Sequence, residues 1–115
     1  MNQNFTEELN EGIRLITIER KLGKMDITSA EVDFIIKLAN EKRYPRAEYV
    51  LAMMYLKGIG VERSKSLGVE YLEKCSEHSS YEIQLKLAYV FYVLNEHSKI
   101  LICLERAIED CRILC

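Results

Sequence analysis

The sequence predicts an all-α fold: a short solenoid of about three antiparallel helix pairs. Three observations carry that expectation. Gly and Pro together number only six of 115 residues, too few for a sheet protein that turns every ~8–12 residues. Apolar residues recur with helical rather than alternating spacing. The pattern also repeats: Leu51-Ala52-Met53-Met54-Tyr55 returns as Leu87-Ala88-Tyr89-Val90-Phe91, and Ile35-Ile36-Lys37-Leu38-Ala39 as Tyr71-Leu72-Glu73-Lys74-Cys75, both at an offset of 36. Tyr71–Cys75 matches Cys103-Leu104-Glu105-Arg106-Ala107 at 32. A period in the thirties assembled from two helical patterns marks stacked helix pairs.

Six helices follow from the local punctuation. The first is expected from about Thr6 to Lys21, with Ile13, Leu15 and Ile16 apolar, ending near Gly23. Thr28-Ser29-Ala30-Glu31 reads as a capping box, the Thr oxygen taking the Glu31 amide and the Glu side chain returning the bond. The second helix carries Val32, Ile35, Ile36, Leu38 and Ala39, and should close near Arg43, because Pro45 disfavours helical geometry at Tyr44. Pro45 suits the first position of the third helix, and Gly58 a left-handed C-terminal position. Ser64 is the expected N-cap of the fourth helix. Ser79-Ser80-Tyr81-Glu82 offers a second capping box for the fifth. Asn95 can end that helix, and Ser98 can cap the sixth. Residues 1–115 read as one helical-repeat domain: a degenerate N-terminal helix pair over 1–45, the best repeat over 46–79 and a degenerate repeat over 80–112.

Composition excludes several classes. Apolar residues make 49% and charged residues 30%, with 16 basic against 18 acidic and a net charge of −2. The balance is that of a globular chain. Seven basic and eight acidic residues precede Pro45, and nine and ten follow, so neither part is a basic arm and no nucleic-acid partner is indicated. No apolar run approaches the ~18–20 residues that cross a bilayer, so no membrane is expected. The polar, acidic start, Met1-Asn2-Gln3-Asn4-Phe5-Thr6-Glu7-Glu8, lacks the basic and apolar segments of a secretory signal. A cytoplasmic location is expected, with the four cysteines as reduced thiols.

The stretch Tyr49-Val50-Leu51-Ala52-Met53-Met54-Tyr55-Leu56-Lys57-Gly58-Ile59-Gly60-Val61 resembles the Sel-one-like repeat, a relative of the tetratricopeptide repeat. Leu51, Ala52, Met54, Tyr55, Gly58, Gly60 and Val61 fit the pattern. Gly68, Tyr71, Lys74 and Cys75 fit its second helix, with Leu72 in place of the usual second aromatic. The resemblance covers about Arg46 to Ser79 and is weaker over Tyr81 to Asp110, which lacks the Gly-x-Gly-Val loop. It implies a right-handed curved stack of antiparallel helices whose concave face binds proteins or peptides, and no activity. Independently, Ala47, Ala52, Gly68, Ala88 and Ala107 are small where helices must approach, and Tyr55 and Phe91 are large enough to fill the space between pairs.

Gly58-Ile59-Gly60 follows a helix and lacks a Lys-Ser/Thr, so it reads as a cap and turn rather than a phosphate loop. No cysteine pair has zinc-knuckle spacing. Cys111 and Cys115 share a helix face, but a metal site would need His78 and His97 from other helices. Cys75 and Cys103 sit in the apolar pattern as small core residues. Glu7-Glu8 and Glu109-Asp110 are adjacent on helices, about 100° apart, which is wrong for acid/base pairing. The expectation is no enzyme, no catalytic residue, no metal and no cofactor.

What remains is surface. In such a stack the first helix of each pair lines the concave side, so Glu48, Val50, Met53, Gln84, Lys86 and Tyr89 are the candidate partner-binding residues, flanked by Arg46 and Lys57. Met53 and Tyr89 can equally be core. Five consecutive apolar residues, Ile100-Leu101-Ile102-Cys103-Leu104, go all the way round the last helix, and Ile108, Ile113 and Leu114 add to them. Terminal helices of solenoids keep a polar outer face. Ile100, Leu101, Leu104 and Ile108 are therefore expected to pack on a second copy as a homodimer, on another protein, or beneath the chain's own N-terminal helix. A short repeat chain that starts at its own Met1 and carries no other domain needs a partner to act. The specific expectation is a small bacterial inhibitor or immunity-type protein that binds and neutralises a toxin; the alternative is a scaffold or adaptor subunit of a larger assembly.

Overall fold

The computed structural model describes residues 3–24 and 26–114, with side chains over 5–24 and 26–112. Within them lie six α-helices and no strand: α1 (Gln3–Lys21), α2 (Ser29–Asn40), α3 (Pro45–Lys57), α4 (Lys65–Ser76), α5 (Tyr81–Val93) and α6 (His97–Leu114). A 3-10 turn, Leu22–Lys24, extends α1.

Most of the helix boundaries are set by the expected residues. Thr28 and Glu31 exchange both bonds of the capping box. Pro45 opens α3. Gly58 closes it at φ 69°, its N–H donating to the Met54 carbonyl. Ser64 Oγ accepts the Leu67 amide. Asn95 takes φ 63° after α5, which frees the Glu96 amide to reach the Phe91 carbonyl.

Two expectations fail. Ser79 does not cap α5: its hydroxyl turns back onto the Cys75 carbonyl, and the Tyr81 amide is taken instead by Asp110 Oδ2 of α6 at 2.8 Å. Ser98 does not cap α6, because the helix already begins at His97, with the Lys99 amide bonded to the Glu96 carbonyl.

The tightest packing joins α3 to α4 and α5 to α6, with α2 against α3. The shortest principal extent is 22 Å, the thickness of two helices. α1 meets α2 through side chains, Lys21 on Glu31 at 2.9 Å and Arg14 over the Phe34 ring at 4.1 Å. It is tied to the start of α3 by Arg46–Glu19 and by Tyr44 Oη donating to Glu11.

One apolar core runs through all six helices. Ile18, Ile35, Leu38, Leu51, Met54, Leu72, Leu87 and Phe91 are fully enclosed, and Cys103 extends the core to α6. The small residues sit where expected: Ala47, Ala52, Ala88 and Ala107 are buried, and a Cβ on Gly68 would stand 2.5 Å from Leu56 Cδ2. Phe91 fills the interior as anticipated. Tyr55 does not: it is half-buried and stacks on Tyr71 at 5.8 Å between ring centres, on the edge of α3–α4.

Candidate protein-binding surface

α3 is packed on several sides, which decides what its residues can do. Arg46, Tyr49, Met53 and Lys57, spaced three and four apart, form a strip of α3 left near the surface. Arg46 is exposed, its guanidinium on Glu19 at 2.9 Å. Lys57 is exposed, and Met53 is half-buried against the core. On α5, Lys86 is exposed and holds its ammonium 5.8 Å above the Tyr49 ring. Tyr89 is 67% exposed. Arg46, Met53, Lys57, Lys86 and Tyr89 thus lie at or near solvent.

Glu48, Val50 and Gln84 do not, and their expected place on an outward face is corrected. Glu48 and Val50 are 0% exposed and Gln84 is 2%. Val50 faces the apolar core. Glu48 and Gln84, at equivalent places in α3 and α5, instead grip the end of α4 from two sides. Glu48 accepts from Arg43 Nε at 2.6 Å and lies 2.7 Å from His78 Nε2. Gln84 accepts from Ser76 Oγ at 2.8 Å and donates to the Ser76 carbonyl. Arg106 of α6 also donates to Ser76 Oγ, at 2.7 Å.

These two networks were missed at the level of sequence. The available signal was a polar residue at the same position of two repeats, 36 apart, inside an apolar pattern. Their geometry is structural. No buried side-chain N or O among the described residues lacks a hydrogen-bond partner, as buried polar groups require.

The groups that resemble chemistry are poorly set for it. Burial, partly offset by the Ser79 hydroxyl, pushes the Cys75 thiol up to about 12. Burial likewise raises Cys103. A thiolate, not a thiol, is the nucleophile. Beside Cys103 lies a cleft of about 130 Å³ between α4 and α6, lined by Glu73, Ser76, Phe91, Lys99 and Arg106 among others. That is below the ~300–1,000 Å³ of small-molecule sites. No cluster of three His, Cys, Asp or Glu side chains suited to a metal occurs among the described residues. Cys115, which was paired with Cys111 in that argument, lies outside them.

The last helix has the apolar excess expected of it. Leu101, Leu104 and Ile108 are exposed, while Ile100 is half-buried against the core. The side chains of Ile113 and Leu114 lie outside the described residues. α1 packs at α2 and α3, so the N-terminal helix is not what covers this stripe. No helix of the described residues is long and apolar enough to cross a membrane. Comparison with family models, curated proteins and solved structures finds no match.

Proposed function

We propose that this chain is a non-enzymatic protein-binding module, a helix-pair solenoid of the Sel-one-like kind, whose working surface is the face shared by α3 and α5. The observation that carries the reading is Tyr89, 67% exposed on a helix whose other side is locked into the core. Lys86 stands beside it, held over Tyr49, and Met53 lies on the neighbouring helix. Tyrosine and methionine backed by a rigid scaffold bury area on binding at little cost in conformational entropy. Arg46, Lys57 and Lys86 give this face a basic rim, which favours a partner with acidic side chains.

The specific form of the proposal is a small bacterial inhibitor or immunity-type protein that covers the active surface of a toxin. The test is affinity capture from the native host with the wild type and with Lys86→Glu and Tyr89→Ala. A single partner retained by the wild type, lost by both variants, and toxic when expressed alone supports the reading. A partner set unaffected by either variant places binding elsewhere. The exposed apolar stripe of α6 favours a second reading, a scaffold subunit, for which the same capture returns several proteins together.

A further inference from the structure

α1 is held differently from the other helices. α3 and α4 approach closely at the backbone, as do α5 and α6, whereas α1 hardly approaches α2. The close pairs have small residues that allow it. Gly68 faces the Ala52 carbonyl in one, and Ala88 and Ala107 are buried in the other. The core side chains of α1 and its 3-10 turn are all large, Leu15, Ile18 and Leu22, and they keep its backbone at arm's length.

Charge supplies the rest of the hold. On one flank Glu11 accepts from Lys42 Nζ at 2.8 Å and from Tyr44 Oη at 3.0 Å, both at the α2–α3 corner. Glu19 accepts there from Arg46 of α3 at 2.9 Å. On the other flank Lys21 donates to Glu31 of α2 at 2.9 Å, and the Arg14 guanidinium stands 4.1 Å from the centre of the Phe34 ring. These ion pairs are all partly open to water, where each stabilises little. The groove under α1 is therefore basic along α3, acidic and aromatic along α2, and apolar between. That order of charge fixes the direction and the rotation of a helix lying in it. A terminal element of a linear stack opens by breaking one interface only.

We infer that α1 is the exchangeable occupant of a helix-binding groove formed by α2 and α3, and that a partner's amphipathic helix of the same design takes its place. That design is an apolar row spaced as Leu15, Ile18 and Leu22, with acids along one flank and bases along the other. The groove shares Arg46 with the α3–α5 face and involves neither Lys86 nor Tyr89, so it stands apart from the partner proposed for that face.

Hydrogen exchange of the full chain reads the opening. Amides of α1 are expected to exchange roughly a hundredfold faster than those of α4. Glu11→Gln with Glu19→Gln should speed α1 about tenfold further and leave α4 unchanged. A labelled peptide of residues 3–24 reads the groove. It carries Leu9→Lys and Ile13→Lys, at positions exposed in the fold, to keep it soluble. The peptide competes with the chain's own α1, present at a roughly millimolar effective concentration. The Glu11→Gln, Glu19→Gln chain, whose groove is intact, should therefore bind it about tenfold tighter than the wild type does. Ile18→Asp in the peptide should abolish binding. Lys86→Glu or Tyr89→Ala in the chain should leave it unchanged, which separates a failure here from a failure of the α3–α5 surface. An α1 that exchanges no faster than α4 overturns the inference. So does a peptide that binds neither chain, binds both equally, or still binds with Ile18→Asp.

Discussion

Glu48 of α3, wholly enclosed, lies 2.7 Å from Nε2 of His78, thirty residues along the chain. Its other oxygen takes the Arg43 Nε–H at 2.6 Å. One buried carboxylate therefore fastens the α2–α3 corner to the end of α4. The anion stays in the interior because two donors meet it there; without them its desolvation is uncompensated.

Replacing both donors, Arg43→Ala with His78→Ala, should cost about 3–5 kcal/mol, because it strands the buried charge. Exchanging the acid itself for an apolar side chain, Glu48→Met, should cost much less, and can even stabilise. Urea unfolding of the two proteins checks the order. If Glu48→Met is the more damaging, the network contributes attraction beyond satisfying its own charge.

Phe91 and Tyr55, thirty-six residues apart in the sequence, differ in enclosure. Phe91 is 1% exposed, so Phe91→Ala should cost about 3–5 kcal/mol. Tyr55 rests half-buried on the Tyr71 ring. Tyr55→Ala should cost only about 1–2 kcal/mol, one stacked pair and part of its buried area. Thermal unfolding of both variants measures the difference.

Gly68 is the fourth residue of α4, where alanine would ordinarily gain up to about 1 kcal/mol of helix propensity. Here the added Cβ meets Leu56 at 2.5 Å and the Ala52 carbonyl oxygen at 3.3 Å. The Leu side chain can turn away, but the carbonyl moves only with α3. Overpacking of about 1–3 kcal/mol should outweigh the propensity gain, leaving Gly68→Ala net destabilised in chemical denaturation. A more stable variant would show that α3 and α4 separate readily.

The thiols sort by burial. Of Cys75, Cys103 and Cys111, only exposed Cys111 should react with a thiol reagent in the native protein near neutral pH, as read by mass spectrometry of the labelled peptides. Cys75 also predicts alkaline behaviour. Its proton is held to about 12 in the fold against an ordinary 9.0. A thiol with a raised folded value contributes stability that is whole below pH 9 and is lost as pH rises toward 12. The slope is about 1.4 kcal/mol per pH unit. Unfolding of the wild type and of Cys75→Ala across that window should differ by this slope.

Much of the architecture was legible because it is written locally. Thr28 with Glu31, Pro45, Gly58 and Ser64 each act within a turn or so of their own position, and each marks its boundary as expected. Ser79 failed because its hydroxyl turns back onto the Cys75 carbonyl, while the Tyr81 amide at the start of α5 is met by Asp110, twenty-nine residues away. The surface was half legible. Lys86 and Tyr89 are exposed, whereas Glu48 and Gln84 look like surface residues by type and are core by position. Charge on a side chain predicts exposure only until a partner from another helix neutralises the cost of burial.

The order of the helices, their number, the boundary residues of α2, α3 and α4 and the recurrence of small and large residues were determined by the sequence alone, since helical period and backbone geometry act between near neighbours. Which face of each helix met another helix was decided only in three dimensions. Burial is a property of every element surrounding a residue at once, and α3, with neighbours on several sides, buries residues that a lone amphipathic helix would expose.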